Sequence, residues 1–162
     1  MTVLAIDPGP EQSAYVVWDG RSVQDHGKDA NDLLRGYLGC TPLPVVIEQI
    51  ASYGMAVGAE VFETCVWTGR FMEAASRSQF RPPVIRLPRR DVKLHLCGSA
   101  RAKDSNIRHA LIDRFGGKEK AIGTKASPGP LYGLKADTWQ ALALAVTWLD
   151  LHGQPARDET AS

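Results

Sequence analysis

The first seven residues constrain this chain more than any other stretch. The apolar run Val3-Leu4-Ala5-Ile6 ends on a carboxylate, Asp7, and meets Pro8-Gly9 at once. An aliphatic run of this length reads as a buried strand, and Pro-Gly directly after it stops the ladder and turns the backbone. Asp7 is therefore predicted at the C-terminal rim of a buried strand. A second apolar run, Ala14 to Trp18, follows shortly and closes on Asp19-Gly20, a hairpin signal. The Asp7 strand is expected to be central, with an antiparallel neighbour.

Two later segments carry single acids in similar surroundings. Val45 to Ile50 is a strand candidate interrupted by Glu48, and Leu134 to Leu151 is predicted as one helix carrying Asp137 on an apolar body. A lone ionised carboxylate among apolar neighbours is costly unless a cation or hydrogen-bond donors meet it. Three of them on three apolar elements ask for a metal ion. Singly, each has a plainer reading: Asp7 as a turn former, Glu48 as a rim residue paired to an arginine, Asp137 as a helix cap. Their coincidence favours an active site.

At 162 residues and 44% hydrophobic, the chain is long enough for one well-filled core and short for two domains. A single domain is expected over residues 1–152, with a polar, disordered tail over 153–162. Cys40, Cys65 and Cys97 are odd in number and lack metal-ligand spacing, which points to reduced thiols and a cytoplasmic location. No basic leader or membrane-length apolar run is present, so neither export nor a membrane partner is expected.

The formal net charge of +1 conceals a strong asymmetry. From Arg77 to Lys125 there are thirteen Lys or Arg against four acids, a local charge of +9. A basic face opposite an acidic remainder fits a polyanion, and Arg89, Arg90, Lys93, Arg101, Lys103, Arg108, Lys118, Lys120 and Lys125 are the candidate DNA contacts. His95 and His109 lack ligand spacing and read as surface residues.

In chain order, Ser22 to Gly27 is expected as a third strand, and Asp29 to Leu38 as a helix capped by Asp29 or Asn31. A long helix over Ala59 to Arg77 is expected to bury Val61, Phe62, Cys65, Val66, Phe71 and Met72. Val84 to Leu87 reads as a fifth strand, followed by an Arg-rich helix after Pro88. Lys103 to Phe115 is amphipathic, with Asp104 or Ser105 as its cap and Gly116-Gly117 as its stop. Lys118 to Gly133 reads as a flexible basic loop. The result is an α/β fold: a mixed five-stranded sheet flanked by helices.

Four segments carry a resemblance: Ala5-Ile6-Asp7-Pro8-Gly9, Ile47-Glu48-Gln49, Gly98-Ser99-Ala100-Arg101-Ala102-Lys103, and Asp137 through Ala145. In order and spacing, from Val3 to about Thr147, they resemble the ribonuclease H-like superfamily and, within it, the RuvC-type Holliday junction resolvases, with a phage-type compactness. The resemblance implies a ribonuclease H-like fold, Asp7, Glu48 and Asp137 as metal-binding carboxylates, and Lys103 beside the scissile phosphate. Where the family commonly has a further acid, one turn after Asp137, this chain has Gln140, whose amide oxygen can serve as a neutral ligand or orient a water. Where the family has an aromatic wedge, Ala51 stands, leaving Tyr53 or Met55 to take that role at a junction.

The expected activity is metal-dependent hydrolysis of paired phosphodiesters in four-way or branched DNA. Mg²⁺ is a hard ion suited to carboxylates and phosphate oxygens, with Mn²⁺ as a substitute. Two ions about 3.5 to 4 Å apart are expected, with Asp7 bridging them. The substrate has two equivalent strands to cut, so a homodimer is expected, its interface on the Ala59 to Arg77 helix. A branched-DNA-binding module that does not cut, and a ribonuclease H acting on RNA–DNA hybrids, are the alternatives.

Overall fold

The opening apolar run forms β1 (Val3–Asp7), flanked by two elements of opposite direction. On one side β2 (Gln12–Trp18) and β3 (Val23–Ala30) continue it as an antiparallel meander. On the other side β4 (Val45–Gln49) and β5 (Val84–Pro88) run parallel to β1. The order β3-β2-β1-β4-β5 is the mixed five-stranded sheet expected from the sequence. The computed structural model describes residues 1–153, so most of the expected tail, 154–162, lies outside the described residues.

Helices cover both faces, which is why β1 and β4 read as unbroken apolar runs. On one face Leu4, Ile6, Val17, Val45 and Ile47 pack against α1 (Asn31–Leu38) and α2 (Ala59–Ser76) through Leu34, Leu38, Trp67, Phe71 and Ala75. On the other, Val3, Ala5, Val16, Trp18, Val46 and Leu87 meet α3 (Arg89–Cys97), α4 (Asp104–Arg114) and α6 (Thr138–His152). α6 is buried along nearly its whole length from Thr138 to Trp148, as its Ala-Leu-Ala-Leu-Ala run requires. Each such large side chain removed from water contributes about 1.5–3 kcal/mol.

Several boundaries differ from expectation. The third strand runs three residues further, to Ala30. Asn31 does not cap α1; it is buried and hydrogen-bonded elsewhere. In α2 the inward positions are Thr64, Trp67, Thr68, Phe71 and Ala75, while Phe62, Cys65 and Val66 face outward. A helix lying on a sheet buries one stripe, and the buried threonines take part of it by hydrogen-bonding back to Glu60 and Thr64 carbonyls. The expected flexible loop contains a short helix, α5 (Lys118–Ala121). α4 begins at Asp104 with Lys103 as its N-cap; Asn106 Oδ1 accepts from the Lys103 backbone N–H at 2.9 Å.

His95 is exposed, as expected, yet it is paired. Its Nε2 lies 2.6 Å from Asp150 Oδ2, and Arg114 donates to both oxygens of the same carboxylate, so α3, α4 and α6 are tied at one end. Burial pushes the Asp150 carboxyl up, but hydrogen bonds from Arg114 and His95 outweigh it and hold the group below the usual carboxylate range. Cys40, Cys65 and Cys97 are all free thiols.

Candidate active site

One row of the sheet assembles the site. Lys28 of β3 pairs with Ala14 of β2, and Ala14 pairs with Asp7 of β1. Beside β1, Ile6 aligns with Ile47, which brings Glu48 level with Asp7, and Glu48 pairs onward with Leu87. Partners in register share a face, and this is the face covered by α6. The row therefore puts two carboxylates and an ammonium at the rim under the N-terminus of α6. The small Ala14 between Asp7 and Lys28 leaves room for the lysine chain to cross.

Asp7 and Glu48 form a largely buried carboxyl pair. Glu48 is 7% exposed. Burial, followed by a hydrogen bond shared with Glu48 and the charge of Glu48, pushes the Asp7 carboxyl up to about 9, against a smaller lowering by Arg89. Two such groups do not both ionise unless a cation sits between or beside them. This donor set, hard oxygens with an unmet demand for positive charge, fits a divalent cation.

The turn after Asp7 is clamped by a ring of hydrogen bonds. Gly9 N–H donates to Ser13 Oγ at 3.1 Å, Ser13 Oγ–H donates to Asn31 Oδ1 at 2.6 Å, and Asn31 Nδ2 returns to the Gly9 carbonyl at 2.9 Å. A Cβ at position 9 would stand 2.3 Å from the Gln12 carbonyl oxygen, so only glycine fits. The clamp fixes the rim on which Asp7 sits.

Asp137 arrives differently from expectation, because the last helix starts at Thr138 and not near Leu134. Ala136, at φ 44°, breaks the helical path, and Thr138 Oγ clips Lys135 through its N–H and carbonyl. Asp137 thus becomes the N-cap residue, yet its carboxylate makes no capping bond. Instead Oδ2 accepts from Lys28 Nζ at 2.6 Å, both side chains about half exposed. One turn on, Gln140 lines a small void with Glu48, Arg89, Val92 and Leu144.

Arg89, at the junction of β5 and α3, meets two carboxylates. Its Nε lies 3.5 Å from Glu48 Oε1 and its Nη2 3.1 Å from Asp104 Oδ1. The Nε is buried and lacks a hydrogen-bond partner. Asp7, Gly9, Glu48, Tyr53, Thr64 and Arg89 border an open cleft of about 360 Å³. A neighbouring basic cavity of about 270 Å³ is lined by Tyr53, Arg89, Arg90, Lys93 and Ala100. Among the described residues no three Asp, Glu, His or Cys side chains converge into a finished metal cage, and Asp137 pairs with Lys28.

Known structures carry the same arrangement of elements. One, titled as a Thermus thermophilus RuvC structure, aligns with a TM-score of 0.66 over 94% of this chain and 97% of its own, at 17% identity. A second, T. thermophilus RuvC in complex with Holliday junction substrate, aligns at 0.63 over 91% and 92%, at 16% identity. The chain has the RuvC fold. No protein-family profile matches the sequence, and no curated protein sequence does either.

On this RuvC-like scaffold the remaining predicted residues spread outward from the cleft. Lys103 stands exposed at the α4 N-cap, linked to the row only through its neighbour Asp104 and then Arg89. Arg90, Arg101, Lys118, Lys120 and Lys125 are exposed and Lys93 is partly so. Arg108 is committed in part to packing, its guanidinium 5.1 Å from the Trp139 ring centre. Tyr53 and Met55 project from the loop after β4, and Tyr53, at φ 50°, borders both cavities. Sequence reasoning missed Lys28, since only the strand register reveals that it shares a row with Asp7.

Proposed function

We propose that the protein is a divalent-metal-dependent endonuclease that cuts four-way or otherwise branched DNA. The observation that carries this reading is the buried Asp7–Glu48 pair at the mouth of an open cleft, flanked by the Arg89, Arg90 and Lys93 cavity. A carboxylate pair that requires a cation, beside side chains that attract phosphate, suits phosphodiester hydrolysis. A RuvC complexed with a Holliday junction is among the proteins sharing the fold, which supports a junction as the substrate.

Asp7 and Glu48 hold the ion, Mg²⁺ or Mn²⁺, with Gln140 as a neutral oxygen donor and Asp137, held by Lys28, as the third carboxylate at the edge of the site. When bound, a divalent ion polarises the phosphodiester and makes water more acidic. Arg89 and Lys93 orient the phosphate, and Lys103 offsets charge along the strand. Tyr53 or Met55 meets bases at the cleft mouth by stacking or wedging. The exposed basic residues from Arg90 to Lys125 track the backbones of the junction arms.

Residues 1–152 act as one nuclease domain, and two chains pair so that two sites face two symmetric strands. The exposed Phe62 and Val66 of α2 offer the apolar surface for that pairing. No described helix is long and apolar enough to cross a membrane; the free thiols suit a cytoplasmic setting. Gln140 and the cations already beside Glu48 and Asp137 keep one second reading in view, a binding module that holds branched DNA without cutting it. Asp7→Asn decides between them: loss of cutting with junction binding retained supports the nuclease, whereas a native protein that binds junctions but cuts none in Mg²⁺ or Mn²⁺ supports the module.

A further inference from the structure

The cations at the site belong to the protein as much as to any bound metal. Two of the three carboxylates already have a basic partner: Asp137 has Lys28 at 2.6 Å, and Glu48 has Arg89 at 3.5 Å. The position one turn beyond Asp137, facing the void beside Glu48 and Arg89, is the neutral Gln140. With Asp104, which Arg89 also meets at 3.1 Å, the site sets four carboxyl groups against two cations, and of Asp7, Glu48 and Asp137 only Asp7 has no ion-pair partner among the described residues.

Two divalent ions would bring four positive charges to four carboxyl groups that already hold two cations. One ion at Asp7 and Glu48 meets the demand of that buried pair and leaves Lys28 and Arg89 in place. Arg89 is suited to stand where a second ion would act. It borders the carboxylate cleft and the basic cavity together, with its Nε turned to Glu48 at 3.5 Å, and a guanidinium fork suits phosphate oxygens. Lys28 reaches the opposite end of the row over Ala14.

We propose that the site takes one divalent cation per chain, at Asp7 and Glu48, and that Arg89 and Lys28 supply the positive charge of a second. This rests on the nuclease reading above and replaces the two-ion arrangement expected from the sequence. Because the fixed charges do not dissociate, the second positive centre is present at every metal concentration.

The test counts ions. Mn²⁺ is titrated into the metal-free full chain, bound ion is measured from loss of the free-ion paramagnetic resonance signal, and the rate of junction cleavage is followed against Mn²⁺ concentration. The native chain should bind one ion and cleave with first-power dependence. Arg89→Met should admit a second ion and change the dependence toward second power, while Arg89→Lys keeps one. Lys28→Met should tighten the first ion several-fold by freeing Asp137. Two ions per native chain, or second-power dependence in the native protein, would overturn the proposal while leaving the nuclease reading intact. No ion bound and no cleavage would overturn both.

Discussion

Lys28 Nζ lies 2.6 Å from Asp137 Oδ2, joining an edge strand to the start of the last helix across 109 positions of sequence. Because both side chains are about half exposed, solvent screens the pair and its contribution to stability is small, about 0–1 kcal/mol. Its consequence lies in metal binding. Lys28→Met should leave the melting temperature of the metal-free protein nearly unchanged and raise the stabilisation that Mg²⁺ confers. Thermal melts with and without Mg²⁺ check this.

The Asp7–Glu48 pair predicts an unusual pH dependence. A carboxyl raised from 3.8 to about 9 by burial and by Glu48 binds its proton more tightly in the folded state than in the unfolded. Stability from this group is fully present below the unfolded value and is lost as pH rises toward about 9. In chelator, the native protein should lose stability progressively across that window. Asp7→Asn should flatten the loss, and Mg²⁺ should reverse it in the native protein but not in the variant.

Asp150 predicts the opposite slope. Its carboxyl is held low by Arg114 and His95 against the opposing effect of burial, so its contribution is present above the unfolded value and is lost as pH falls through the folded one. Asp150→Asn should lower stability at neutral pH by about 1.5–3 kcal/mol, the range for hydrogen bonds to charged groups, and bring the variant and native curves together in acid. Urea melts from about pH 7 to about pH 3 measure it.

How far the sequence disclosed this arrangement depended on whether the signal was local. Val3-Leu4-Ala5-Ile6 and Val45-Val46-Ile47 were legible as strands because both their faces are buried, leaving no polar alternation to confuse. Asp7 and Glu48 were legible as acids at their ends. The start of α6 was not: Leu134 is buried and extends the apolar pattern, but the left-handed Ala136 ends any helix before Asp137. The outward turn of Phe62 and Val66 was hidden because α2 is apolar on more than one side and buries threonines. Lys28 and the Ser13–Asn31 clamp were out of reach, since each depends on pairing distant segments.

The outward turn of Phe62 and Val66 decides which α2 residue can test a dimer. Trp67, 9% exposed and stacked near Phe71 at 5.8 Å between ring centres, belongs to the core. Trp67→Glu should cost at least the 3–5 kcal/mol typical of losing a buried aromatic, and it reports on folding rather than on pairing. Phe62→Glu, at a residue 64% exposed, should leave the urea midpoint near native and convert a dimer to a monomer in light scattering. A native chain that is monomeric both free and on a junction would contradict the paired arrangement.

Cleavage of matched substrates tests the central claim most directly. Labelled four-way junction, forked DNA, linear duplex and RNA–DNA hybrid should be offered to the native protein in Mg²⁺ and in Mn²⁺, with Asp7→Asn alongside. The proposed function predicts metal-dependent cuts in the branched substrates, little in linear duplex or hybrid, and none by Asp7→Asn, with junction binding retained by that variant. Equal cutting by Asp7→Asn, or cleavage confined to the hybrid, would contradict it.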